Sequence, residues 1–177
     1  MKHVTTLIVS ALLTTTAVFP LQASADEEQQ MQFEMVVVGN HAFGGLVSNG
    51  KYQLAVDRIT GRRNYAPYAT ATNLCVALTM LGQYAQAEPR CEEAIKLADK
   101  RPVPAPKGWK GINQVAAQRA FAYSNRGVMR ILRGNVSGAE EDFLTAIERK
   151  ANLRAPARNL AKVNVETTAP VVAIVSH

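Results

Sequence analysis

Across residues 68–81 the apolar residues Leu74, Cys75, Leu78 and Leu81 recur three and four places apart, the spacing that gathers side chains on one face of an α-helix. Gly82 ends that stripe, since glycine takes the left-handed conformation of a helix terminus without a β-carbon clash. A second stripe follows at Tyr84, Ala87, Cys91, Ala94 and Ile95, so a helix over residues 84–98 is predicted to fold back on the first. The same order of signals returns over residues 114–150: a long helix, a break at Gly134, then Asn135 placed to cap another helix, with Glu140 and Glu141 near its positive end. Antiparallel helices joined by so short a turn pack closely and need small residues where they meet. Cys75 and Ala87 fit that need in the first hairpin, Gly127 and Ala139 in the second.

The two hairpins are copies of one another. Asn73 and Asn125, Val76 and Val128, Gly82 and Gly134, Ala87 and Ala139, Glu88 and Glu140, Ala94 and Ala146, and Ile95 and Ile147 all stand 52 residues apart. Repetition of this kind means a supersecondary unit stacked on itself. Two partial copies flank the pair. Asn49-Gly50-Lys51-Tyr52 echoes Leu81-Gly82-Gln83-Tyr84, giving a divergent leading copy over residues 41–62 whose first helix is shortened by Gly44-Gly45. Asn159-Leu160 echoes Asn73-Leu74, giving a lone helix over residues 156–164 that covers the open face of the last hairpin.

Asn125-Arg126-Gly127, Gly134-Asn135, Ala139-Glu140-Glu141-Asp142-Phe143 and Ala146-Ile147 together resemble the tetratricopeptide repeat. The first copy departs from that pattern with Cys75 at the small position, Pro89 in the second helix and Cys91 for the aromatic residue. The offset of 52 also departs from the family period of about 34 residues. The excess lies in residues 99–113, a Pro-rich insertion that reads as neither helix nor central strand. The resemblance covers residues 41–164. It implies an all-α fold, a short right-handed stack of antiparallel helical hairpins with a C-terminal capping helix. It also implies a concave groove lined by the first helix of each copy, here Ala69, Thr72, Val76 and Thr79, then Phe121, Ser124, Val128 and Ile131. Family members that bind acidic peptide ends place lysines in this groove. None stands here, so an extended, more apolar peptide or protein is the expected ligand, with Asn73 and Asn125 either contacting it or serving the fold.

Outside the repeats the pattern changes. Met1-Lys2-His3, an apolar and Thr-rich run, and Ala23-Ser24-Ala25 read as a secretory signal peptide over residues 1–25, cleaved near Ala25 to give a periplasmic or secreted chain. Residues 26–40 form an N-terminal extended segment and residues 165–177 an apolar tail. Their β-branched runs, residues 31–39 and 169–175, either pair as a short β-ribbon, place the tail in the groove, or remain free ends. Trp109 in the insertion either covers a core edge or anchors a partner.

Composition adds limits rather than chemistry. The formal charge of +6 is spread along the chain and reads as a solvated basic surface; in an exported protein a nucleic acid partner is not expected, while contact with an acidic protein or a membrane surface stays open. Cys75 and Cys91 form either a disulfide or two buried thiols. If Cys75 faces Ala87, Cys91 lies near the limit of about 7 Å between Cα atoms that a bridge allows. Beyond the signal segment only His41 and His177 remain, so no metal site, catalytic set or cofactor is argued. Glu140, Glu141 and Asp142 read as an outward, solvated face. The expected function is an exported, non-enzymatic scaffold or adaptor. The alternative is an envelope-surface or membrane-associated protein that uses its basic surface and apolar ends.

Overall fold

The computed structural model describes residues 33–61, 66–100 and 109–168, apart from the side chains of 109–113 and 165–168. Among these residues there are seven helices and no strand: α1 (Gly44–Ser48), α2 (Tyr52–Thr60), α3 (Pro67–Met80), α4 (Tyr84–Asp99), α5 (Trp109–Leu132), α6 (Val136–Arg149) and α7 (Arg154–Thr168). The signal segment, most of the Pro-rich insertion and the residues 169–175 expected as a strand lie outside the described residues, as does the side chain of Trp109.

Three hairpins share one turn. Gly50, Gly82 and Gly134 each have positive φ, at 70°, 68° and 87°. In each case the following N–H reaches back five residues, Lys51 to Leu46, Gln83 to Leu78 and Asn135 to Arg130. This arrangement satisfies carbonyls that a helix end would leave unpaired, and it needs glycine because the left-handed conformation penalises a β-carbon. The divergent leading copy is therefore a hairpin of the same design, its first helix cut to one turn. Asn135 caps α6 by accepting a hydrogen bond from the Gly138 N–H at 3.0 Å.

Consecutive helices pack in chain order, and α1, α3, α5 and α7 also touch one another in series. They form an inner row, with α2, α4 and α6 behind it. Across the insertion, Arg119 on α5 donates to the carbonyls of Ala98 and Asp99, the last of α4, at 3.2 and 3.0 Å. Tyr68 on α3 donates to the Gln118 carbonyl at 2.9 Å.

Several expectations from the sequence are corrected. The helix before Gly134 begins at Trp109, so residues 109–113 are helical rather than part of an irregular insertion. The capping helix runs from Arg154 to Thr168, longer than 156–164. Pro89, set apart from the repeat pattern in the sequence, is the sixth residue of α4 and stands in its second turn. It deprives the Ala85 carbonyl of its helical donor, and both residues are exposed, so that carbonyl is open to solvent. Asp142 does not face solvent. It is 1% exposed and accepts from Arg126 at 2.9 and 2.7 Å, with Arg130 at 3.0 Å. Burial works against the Arg126 cation, but its bonds to Asp142 prevail and hold its pKa above the ordinary value.

Of the two states open to Cys75 and Cys91, the structure has the disulfide, with Ala87 in the same core cluster. The cysteine Cα atoms are 4.8 Å apart and the sulfurs are bonded, joining α3 to α4 inside the core.

Candidate functional site on the inner face

The segment before α1 is extended and lies along the inner row. Its alternate residues are held by three asparagines that occupy the same place in their helices. Asn159 on α7 accepts from the Glu34 N–H at 2.9 Å and donates to the Glu34 carbonyl at 2.8 Å. Asn125 on α5 does the same for Val36, at 2.8 Å in both directions. Asn73 on α3 does so for Val38, at 2.9 and 3.2 Å, and its Nδ2 also reaches the carbonyls of His41 and Ala42. Each carboxamide stands in for a neighbouring strand, giving one donor and one acceptor to one residue's main chain. No strand is present among the described residues, and residues 169–175, the other half of the expected β-ribbon, lie outside them; what holds residues 34, 36 and 38 here is a ladder of side chains.

The ladder works because its asparagines have no other outlet. All three are at most 1% exposed. A buried carboxamide left unpaired would cost about 1–3 kcal/mol. Side chains fix the segment further. Phe33 packs with Val128, Ile131, Ala139, Phe143 and Val163, Met35 meets three of the core clusters, and Val37 packs with Val47, Ala55, Val76 and Ala77. Glu34 on the exposed side pairs with Arg158 at 3.3 Å. The two-residue period thus sends 33, 35 and 37 into the stack while the main chain of 34, 36 and 38 meets the asparagines.

The turn into α1 is tight. Ala42 and Phe43 both have positive φ, at 46° and 55°, and a β-carbon on Gly44 would lie 2.1 Å from the Val38 carbonyl oxygen.

Of the residues expected to line a groove, Ala69 is buried and the other seven divide into three groups. Val76, Val128 and Ile131 pack against the extended segment. Thr72 and Thr79 are buried and donate to their own helix, to the Tyr68 and Cys75 carbonyls at 2.8 and 2.7 Å, so their hydroxyls are not offered to a ligand. Ser124 is buried with a hydroxyl that has no hydrogen-bond partner among the described residues, and Phe121 is half-buried one turn before Asn125. Beside the segment a cavity of about 240 Å³ remains, lined by Phe33, Met35, Val37, Val47, Ser48, Tyr52, Val76 and Met80. It falls short of the roughly 300 Å³ at which small-molecule sites begin. Its walls suit a few apolar side chains better. No group of His, Cys, Asp and Glu able to hold a metal ion occurs among the described residues.

What sequence reasoning missed is that residues 33–38 fill this face. The signal was present in the phase of Asn73, Asn125 and Asn159, which share one repeat position although no helix requires asparagine there.

No protein-family profile and no solved structure matches the chain. Over 130 residues, 72% of its length, the chain is 31% identical to RNA polymerase II-associated protein 3 of Xenopus laevis. It spans only 16% of that protein's length. This match and the all-helical architecture are compatible with a tetratricopeptide-like protein.

Proposed function

We propose that this protein is an exported, non-enzymatic scaffold or adaptor, a right-handed tetratricopeptide-type stack that binds a partner protein in extended form along its inner face. The observation that carries this reading is the two-way hold of Asn73, Asn125 and Asn159 on alternate residues of an extended segment. Such a face recognises main chain, and it selects side chains only through the apolar pockets beneath. The cavity next to the segment gives such a partner a place to enter. The leader-like residues 1–25 support export.

A photo-crosslinker at Ser48, on the cavity wall, tests this in an envelope extract against one at Glu141 on α6. The reading expects a discrete protein adduct from Ser48 and none from Glu141. If neither position captures protein while the chain floats with anionic vesicles in a salt-sensitive way, the function belongs to the membrane surface instead.

A further inference from the structure

The seat on the inner face is filled by the chain itself, and this occupant shows what the seat accepts. Asn73, Asn125 and Asn159 hold main chain, which every residue carries, so selection falls to the side chains. Phe33 packs among Val128, Ile131, Phe143 and Val163, and the Lys162 ammonium lies 5.7 Å from the centre of its ring. Met35 and Val37 take the next two inward places. Glu34 meets Arg158, but the two side chains are 48% and 59% exposed, so this pair adjusts the choice rather than deciding it. The pattern accepted is an aromatic residue, an acid, and then large apolar residues two and four places after the aromatic.

The occupant is held least firmly at one end. Asn125 and Asn159 reach the carbonyls of Val36 and Glu34 at 2.8 Å. Nδ2 of Asn73 lies 3.2 Å from the Val38 carbonyl and is shared with those of His41 and Ala42, at 3.0 and 3.2 Å. Just beyond, Ala42 and Phe43 stand at φ 46° and 55°, a left-handed conformation that penalises any residue with a β-carbon. Opening this turn relieves both. The cavity of about 240 Å³ borders Val37, and its remaining walls away from the segment come from α1, α2 and α3, the helices at this end. An incoming apolar side chain therefore finds room beside Val37 before Val37 has moved.

We infer that residues 33–38 are a self-ligand, a strap that closes the inner face and yields it to a partner segment carrying the same aromatic, acid and alternate apolar pattern, with exchange starting at the Val38 end beside the cavity. This rests on reading the inner face as a seat for extended chain. It adds the sequence the partner presents and the regulation of the site: a tethered strap keeps a high effective concentration at its seat, and a segment without the pattern does not displace it.

The test uses the full chain and a fluorescent synthetic peptide with the sequence of residues 33–39. Phe33→Ala with Met35→Ala loosens the strap and leaves the helices that form the seat unaltered. This variant is expected to bind the peptide about tenfold more tightly than the wild type, because its seat stands open for more of the time. It is expected to ignore a peptide with aspartate in place of the phenylalanine and the methionine. Equal affinity of wild type and variant, or no binding by a variant that keeps its helical circular dichroism, overturns the inference. The wild type supplies a second measurement without any substitution. With peptide in large excess, amide exchange at Glu34, Val36 and Val38 is expected to speed by about tenfold while amides within α3 and α5 keep their protection. Unchanged exchange at the three strap residues also overturns it. A Ser48 adduct without peptide exchange would leave the proposed function standing without a displaceable strap. Peptide exchange with no adduct would do the reverse.

Discussion

A β-carbon added to Gly127 would lie 2.6 Å from the ring of Phe143, so the ring occupies the space a side chain there would need. Fifty-two residues earlier the same two places hold Cys75 and Cys91, bonded to each other. One hairpin fills the contact between its helices with a ring on a bare backbone, and the other fills it with a covalent link. Neither solution can be mixed with the other, because a cysteine at 127 meets the ring and a phenylalanine at 91 meets the sulfur.

Reduction of Cys75–Cys91 is accordingly expected to cost about 3 kcal/mol, the loop-closure value for a separation near 16 residues. The paired change Cys75→Gly with Cys91→Phe is expected to recover most of that loss and make stability indifferent to reductant. Denaturant unfolding with and without dithiothreitol measures both. Gly127→Ala, by contrast, overpacks the second hairpin and is expected to lose about 1–3 kcal/mol.

Asn125→Ala removes both hydrogen bonds to Val36 and leaves that residue's main chain without a partner at the middle of the ladder. A loss of about 1–3 kcal/mol is expected, with faster amide exchange at Glu34, Val36 and Val38 and little change within α3 to α6. Asn125→Asp keeps the acceptor for the Val36 N–H but sets an oxygen against the Val36 carbonyl. It is expected to be no milder. Residue-resolved hydrogen exchange separates release of the segment from unfolding of the stack.

Asp142 is the buried partner of two arginines whose own side chains are 18% and 20% exposed. Asp142→Asn retains shape and removes charge, leaving Arg126 and Arg130 to face each other. The loss is expected to be about 1–3 kcal/mol, below the figure for a fully buried pair because water still reaches both guanidinium groups. The pKa of Arg126 is raised, so its contribution is present at every pH below its ordinary range and fades only as pH climbs through the folded value. Urea titrations at neutral pH, wild type against variant, give the magnitude.

Gly44→Ala has no space to enter, since its β-carbon would meet the main chain of Val38 and Gly39 rather than a movable side chain. The expected result is displacement of residues 33–38 with α3 to α7 intact. Loss of the Lys162 contact over the Phe33 ring, 5.7 Å in the native protein, would be visible as a shift of the Phe33 ring signals in an NMR spectrum.

The hairpins were legible because helix periodicity and a glycine stop repeat at matched positions, and Gly82 and Gly134 do make the turns their spacing announced. The shared place of Cys75 with Gly127 and of Cys91 with Phe143 was legible too. Less was visible of the inner face. Thr72 and Thr79 stand at the right positions for a groove, but a hydroxyl in a helix can turn back to the carbonyl four residues earlier, and position alone does not say that it does. Asp142 looked like one of three surface acids. Only the arginines one turn apart on another helix draw it inward. Residues 33–38 were hardest, because a short β-branched run suggests a strand and nothing in the run itself says that its partners are asparagine side chains 35 to 125 residues away.

The ladder runs in the opposite sense to the stack, with Glu34 at the last helix and Val38 at the third. A helical repeat array is ordinarily free to fold from any point and to fray from either end, since each unit knows only its neighbours. Here the residues just before the first helix are tied to Asn159 on the last, so the described ends of the array are linked to one another. Those residues are made before every helix that holds them and must wait until Asn159 has been made before their last clamp exists. The step that completes the fold is thus the most non-local one, and the protein gains a checkpoint: an inner face that closes only when every repeat behind it is already in place.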